Sequence, residues 1–120
     1  MTFAADFLVA VVALLHLGFL VLEMFLWTKP VGRRVFGLPA DFMVASASLA
    51  ANQGLYNGFL AAGLIWGLLL GSAGFGIKVF FLSCVLIAGV FGAVTAKRSI
   101  LWVQGMPAAV SLLVLWLARS

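Results

Sequence analysis

Charged side chains are scarce in this sequence. Its 120 residues include seven lysines or arginines and three aspartates or glutamates, while 66% are hydrophobic. Soluble globular domains carry about 25% charged residues, so this composition excludes that class. Most of the charged residues behind the formal net charge of +4 lie in short gaps between apolar runs. They form no basic stripe of the kind that binds nucleic acid.

Residues that usually form metal and catalytic centres are also nearly absent. The single cysteine, Cys84, excludes an intrachain disulfide and a cysteine-rich metal site. Zinc sites need three or four ligands, so the single histidine, His16, predicts no metal site within one chain. A metal or haem shared by a symmetric oligomer stays open, and so does the identity of any cofactor. No nucleophile triad, phosphate loop or dinucleotide fingerprint occurs, which excludes soluble-type hydrolases and nucleotide enzymes.

Long apolar runs account for almost the whole chain. A membrane-crossing helix needs about 20 mostly apolar residues, and four runs meet this requirement. We therefore expect an all-α fold, an integral membrane four-helix bundle with antiparallel spans and short loops. Residues 1–120 would form a single transmembrane domain, whose spans lie at about 4–27, 42–70, 75–96 and 100–118.

The basic residues predict the orientation of the spans. Two connectors, at 28–39 and 97–99, contain five of the seven basic residues, whereas the opposite side holds at most Lys78 and Arg119. Lys78 lies close enough to the start of its span to snorkel to the interface. The positive-inside rule places the two connectors in the cytoplasm and both termini outside it.

Polar side chains within the spans are predicted to meet at one depth. His16 and Glu23 are separated by nearly two helical turns and share a face of the first span. The second span carries an unusual stretch, residues 52–58, with four hydrogen-bonding side chains and two glycines. Antiparallel spans place this stretch, Glu23 and Gln104 in the same half of the bilayer, which predicts a buried polar cluster. Its proposed ligand-binding members are Asn52, Gln53, Tyr56, Asn57 and Gln104.

Each polar residue also has a structural interpretation. Glu23 could act as a general acid or base, or it could accept hydrogen bonds that fix helix packing. His16 could be a proton partner of Glu23 or a packing residue. The amides could orient a ligand or join helices. Gly54 and Gly58 have the spacing that admits a neighbouring helix, for which the ridge of Ala88, Gly92 and Ala96 is a plausible partner.

Four segments resemble a known bacterial family of small integral membrane proteins, DUF1304. They are residues 16–27, Phe36-Gly37-Leu38, the stretch 52–63, and Gln104-Gly105-Met106-Pro107-Ala108. The resemblance covers essentially the whole chain. It implies a four-span fold in the bacterial inner (plasma) membrane. It also implies equivalent polar positions at His16, Glu23, Asn52, Gln53, Tyr56, Asn57 and Gln104. No established activity comes with it.

Three functions remain open at this point. The first is a membrane-embedded pocket that binds a small, mostly apolar molecule. Isomerisation of that molecule by proton transfer is an optional further step, in which Glu23 and His16 would be the catalytic residues. The second is a transporter or proton-conducting subunit, which four spans would form only as a homo-oligomer. The third is a structural or assembly subunit whose polar cluster only fixes helix packing. The expected partners are the lipid bilayer and an apolar ligand, with no nucleic acid.

Overall fold

The computed structural model describes residues 2–119, and within this range every regular element is helical. Three helices are long and apolar enough to cross a membrane, and they correspond to the first, third and fourth predicted spans. The prediction of an all-α fold is therefore confirmed, and the count of four membrane helices is not. In chain order the α-helices are α1 (Thr2–Met24), α2 (Pro30–Phe36), α3 (Ala40–Ala45), α4 (Ala47–Leu69), α5 (Phe75–Thr95) and α6 (Met106–Arg119).

The first connector contains a helix that sequence reasoning missed. α2 begins with Pro30, whose fixed φ suits the first position of a helix. It ends at Phe36 and is capped by Gly37, where φ is +65° and the amide donates to Arg33 O at 2.8 Å. Glycine favours this left-handed conformation because it has no Cβ. The breakers in the connector thus mark the two ends of a short helix.

The second predicted span is divided into two helices at Ser46. Ser46 Oγ donates to Phe42 O at 2.8 Å and accepts a hydrogen bond from Trp27 Nε1 at 3.1 Å. A serine hydroxyl that bonds to the carbonyl four residues earlier bends a helix. The prediction of one continuous helix over this segment was therefore wrong. α4, which follows, carries the polar stretch 52–58.

The turn between α4 and α5 and the start of the last helical segment also depart from α-helix. A 3-10 turn, Gly71–Gly74, connects α4 to α5, as the glycine-rich sequence predicted. A π-helical turn, Leu101–Gly105, leads directly into α6. Pro107 has no amide hydrogen to continue an α-helical ladder through this segment. Sequence reasoning predicted that Gly105 and Pro107 would interrupt the helix here, and the π turn agrees.

The chain forms two compact units. One consists of the chain up to Leu14 and from Leu60 onward, and the other is Leu15–Phe59. The first unit, which we call the terminal unit, has an apolar core to which α1, α4, α5 and α6 all contribute: Ala5, Val9, Val12, Ala13, Leu64, Leu82, Val85, Ala108 and Leu115. The second, which we call the central unit, contains α2, α3, the end of α1 and the first half of α4.

Candidate functional site

Glu23 and Asn57 form a direct hydrogen bond inside the central unit. Asn57 Nδ2 donates to Glu23 Oε1 at 2.5 Å, and the two residues are 34 positions apart in the chain. Asn57 is buried, whereas Glu23 is half-buried. We call this the carboxyl–amide pair. The hydrogen bond from the amide offsets part of the desolvation free energy of a carboxyl group placed among apolar side chains.

Two glycines of α4 make this pair possible. A Cβ at Gly54 would lie 2.7 Å from Met24 Cγ and 3.1 Å from Glu23 Cβ. A Cβ at Gly58 would lie 2.7 Å from Leu20 Cδ1. The absence of both side chains lets α4 approach α1 closely enough for Asn57 to reach the carboxyl. The predicted close packing at these glycines is therefore present, and the nearest helix is α1.

The ridge on α5 that was predicted to receive these glycines has other neighbours. A Cβ at Gly92 would lie 3.0 Å from Ile100 Cγ2, within the terminal unit. Gly89, on the same helix, lies against the backbone of Gly105 in the π turn. α5 therefore uses its small residues to approach the last helical segment. The packing assignment made from spacing alone was wrong.

The remaining polar residues of α4 are exposed in the single chain. Tyr56 is 55% exposed, and Asn52 and Gln53 also belong to the exposed class. The Tyr56 ring packs edge-on against Phe59, with 5.7 Å between ring centres. None of the three side chains forms a hydrogen bond with another described residue. A fully buried polar cluster is therefore not confirmed, because Asn57 is buried and the other three polar side chains of the stretch are exposed.

His16 and Gln104 occupy different surroundings. His16 is 1% exposed and packs edge-on against Phe19, with 5.1 Å between ring centres. Gln104 is half-buried in the π turn and belongs to the terminal unit. Single π turns inside helices are frequent at functional sites. No group of three His, Cys, Asp or Glu side chains able to hold a metal occurs among residues 2–119.

Sequence comparison connects these features to a family. The profile of DUF1304, described as a protein of unknown function, matches residues 10–116, which include Glu23, Asn57 and the polar stretch of α4. The chain belongs to the DUF1304 family. A relative is the "Uncharacterized protein YpaA" of Lactococcus lactis subsp. lactis (strain IL1403), 30% identical over 115 residues that cover 94% of this chain and 97% of the relative. No solved structure matches this DUF1304 protein.

A second polar site in this DUF1304 protein was missed by sequence reasoning. Lys78, which was predicted to snorkel to the interface, is 4% exposed and forms an ion pair with Asp6, whose Oδ1 lies 3.1 Å from Lys78 Nζ. Lys78 Nζ also donates to Gly71 O at 3.3 Å. Both partners belong to the terminal unit. The available signal was positional, because Asp6 and Lys78 each lie near the end of a span on the side away from the basic connectors.

Proposed function

We propose that this protein is a four-span membrane protein that binds the polar end of a small, mostly apolar molecule at the carboxyl–amide pair. The supporting observation is the hydrogen bond from Asn57 Nδ2 to Glu23 Oε1 at 2.5 Å. It leaves Glu23 Oε2 and the Asn57 carbonyl oxygen with no hydrogen bond to another described residue. Two acceptors side by side suit a ligand that donates hydrogen bonds, such as a hydroxyl or an amide.

α4 serves as the fourth span in this proposal. Its 23 residues correspond to about 35 Å of helix, enough to cross a hydrocarbon core of about 30 Å. The amides at 52–57 make it less apolar than the other three long helices, which is expected of a helix that lines a binding site. Polar residues within membrane helices are energetically costly. They rarely face lipid, and they often mark functional positions.

The exposed residues of α4 favour binding over a purely structural role. Asn52, Gln53 and Tyr56 would face hydrocarbon if nothing covered them, and hydrocarbon offers no hydrogen bonds. No hydrogen bond to another of residues 2–119 satisfies them. A ligand whose polar end reaches the carboxyl–amide pair would lie beside these side chains and provide partners. Gln104 belongs to the other compact unit, so its predicted orienting role stays a prediction.

Proton-transfer catalysis receives less support than binding. The helical rise separates the Cα atoms of His16 and Glu23 by about 10 Å, too far to favour direct proton exchange between them. His16 is also enclosed and packs against Phe19. Isomerisation, with Glu23 as the acid or base and His16 as its proton partner, is a more specific hypothesis than binding. It can be tested once a bound ligand has been identified.

Ligand retention provides the test. The protein would be extracted with its surrounding lipid into polymer-bounded discs, and small molecules would be identified by mass spectrometry. We expect one apolar molecule with a polar end at near-stoichiometric amounts in the wild type. Glu23→Gln should reduce its occupancy about tenfold, because a hydrogen bond to a charged group contributes about 1.5–3 kcal/mol. Asn52→Ala should reduce it less.

Asp41→Asn is the matched control, because Asp41 is an exposed carboxylate of α3. Its ligand occupancy should equal that of the wild type. Circular dichroism and size-exclusion profiles would establish that each variant is folded. Equal occupancy in folded wild type, Glu23→Gln and Asn52→Ala would refute the binding proposal. A loss of stability without any retained molecule would favour the structural role.

A further inference from the structure

The terminal unit contains a cavity that the carboxyl–amide pair does not line. Its volume is about 370 Å³, at the lower end of the range for ligand sites. Among residues 2–119, the charged side chains that line it are Asp6, Lys78 and Arg119, together with apolar side chains that include Phe75 and Leu115. They come from the beginnings of α1 and α5 and the last turn of α6. The cavity therefore opens at helix ends, where membrane spans meet the headgroup layer.

Lys78 is positioned in this cavity by the backbone around it. A Cβ at Gly67 would lie 2.7 Å from Lys78 Cγ, so this glycine makes room for the lysine stem. Lys78 Nζ reaches two acceptors, Asp6 Oδ1 at 3.1 Å and Gly71 O at 3.3 Å. An ammonium group has three donors. One donor therefore remains without a partner among the described residues, on a side chain that lines the cavity.

Arg119 supplies a second cation without a carboxylate partner among residues 2–119. Its guanidinium carbon lies 5.0 Å from the ring centres of both Phe75 and Trp116. Such stacking holds the guanidinium group in place and leaves its N–H donors free at the edge. Lys78 and Arg119 together face one carboxylate, Asp6. The described lining of the cavity therefore has an excess of one positive charge.

We propose that this cavity binds the phosphate headgroup of an anionic membrane lipid. A lipid phosphodiester carries one negative charge, which matches the excess positive charge of the lining. Lys78 and Arg119 would donate to the phosphate oxygens, as lysine and arginine do in phosphate sites generally. Phe75 and Leu115 would contact the first part of an acyl chain. A lipid is favoured over a free anion because the cavity combines this apolar wall with an opening at helix ends.

Competition between two lipids tests the proposal. The purified full chain in detergent would be titrated with dioleoyl phosphatidylglycerol or dioleoyl phosphatidylcholine, and bound lipid would be counted by native mass spectrometry. We expect at least about tenfold preference for phosphatidylglycerol, because charge-assisted hydrogen bonds distinguish the two net charges. Arg119→Gln should weaken phosphatidylglycerol binding about threefold, as expected for an exposed charge. Lys78→Gln should weaken it further.

A substitution with the opposite expected effect keeps the test valid if Lys78→Gln fails to fold. Asp6→Asn removes the competing carboxylate and should strengthen phosphatidylglycerol binding about threefold. The double variant Lys97→Gln/Arg98→Gln is the matched control, because it removes two exposed basic charges from the connector after α5. Its phosphatidylglycerol binding should equal that of the wild type.

Three results would overturn the proposal. Equal binding of the two lipids would exclude recognition of the anionic headgroup. Equal losses in Arg119→Gln and in the Lys97→Gln/Arg98→Gln control would indicate general attraction to positive charge. Full displacement of phosphatidylglycerol by an equal concentration of inorganic phosphate would assign the cavity to a free anion. None of these results bears on ligand retention at the carboxyl–amide pair, so the two proposals can fail separately.

Discussion

Two carboxylates in this protein receive a nitrogen donor from a distant part of the chain. Glu23 accepts from Asn57, and Asp6 pairs with Lys78, 72 positions away. A carboxylate in a membrane helix needs such a partner because lipid offers none. Sequence reasoning selected Glu23 and Asn57 by their rarity in apolar helices. It missed the second pair because a lysine near a helix end has a simpler explanation, snorkelling, that requires no partner.

Ser111 carries the first prediction. Ser111 is 0% exposed, and its Oγ has no hydrogen-bond partner among the described residues. A buried hydroxyl without a partner destabilises the folded state by about 1–3 kcal/mol. Ser111→Ala should therefore increase the free energy of unfolding by about 1 kcal/mol, measured by denaturant titration in mixed micelles. Ser48→Ala, at an exposed position of α4, should change stability by less than about 0.5 kcal/mol. A destabilised Ser111→Ala variant would show that the hydroxyl is hydrogen-bonded after all.

At the scale of elements, sequence reasoning located the long helices and missed the local devices that divide the chain. Apolar length alone predicted α1, α5 and the last helical segment, because lipid permits little else than an uninterrupted helix. α2 was missed because it is short and is bounded by Pro30 and Gly37. Both residue types are also typical of loops without a helix. At the break, Ser46 Oγ also accepts a hydrogen bond from Trp27, 19 positions away. No local pattern reveals such a bond.

Close packing between α5 and the π turn leads to a prediction at this scale. A Cβ at Gly89 would lie 2.6 Å from Gly105 N and 2.7 Å from Gly105 Cα. A real Cβ atom essentially never lies within 3.0 Å of a non-bonded heavy atom. The backbone of Gly105 cannot rotate away as a flexible side chain can. Gly89→Ala should therefore destabilise the protein by about 1–3 kcal/mol.

The matched control for Gly89→Ala lies on the same helix. A Cβ at Gly76, also in α5, would meet nothing within 4 Å. Gly76→Ala should leave stability unchanged or increase it by up to about 1 kcal/mol, because alanine favours helix over glycine. Both variants would be compared with the wild type by thermal unfolding in the same detergent. Similar melting temperatures for Gly89→Ala and Gly76→Ala would contradict the close approach of α5 to Gly105.

At the scale of the whole molecule, the exposure of the basic residues bears on the predicted orientation, which stays a prediction. The positive-inside rule depends on basic residues that stay near the membrane surface. Lys29, Arg33, Arg34, Lys97 and Arg98 are all exposed. Lys78, the main basic residue on the opposite side, is buried and paired with Asp6. Among the described residues, the exposed basic side chains are therefore concentrated in the two connectors, and Arg119 is the exposed one on the other predicted side. The prediction of termini outside the cytoplasm rests on this distribution.

Cysteine labelling tests this orientation together with the crossing of the membrane by α5. In a Cys84→Ser background, single cysteines would be introduced at Ala73, in the turn before α5, and at Ser99, in the connector after it. Both positions are exposed. A membrane-impermeant maleimide should label Ala73→Cys in intact cells, and Ser99→Cys only after permeabilisation. This pattern follows if α5 crosses the membrane with its basic end inside. The reverse pattern would invert the orientation, and labelling of both positions in intact cells would show that α5 does not cross the membrane.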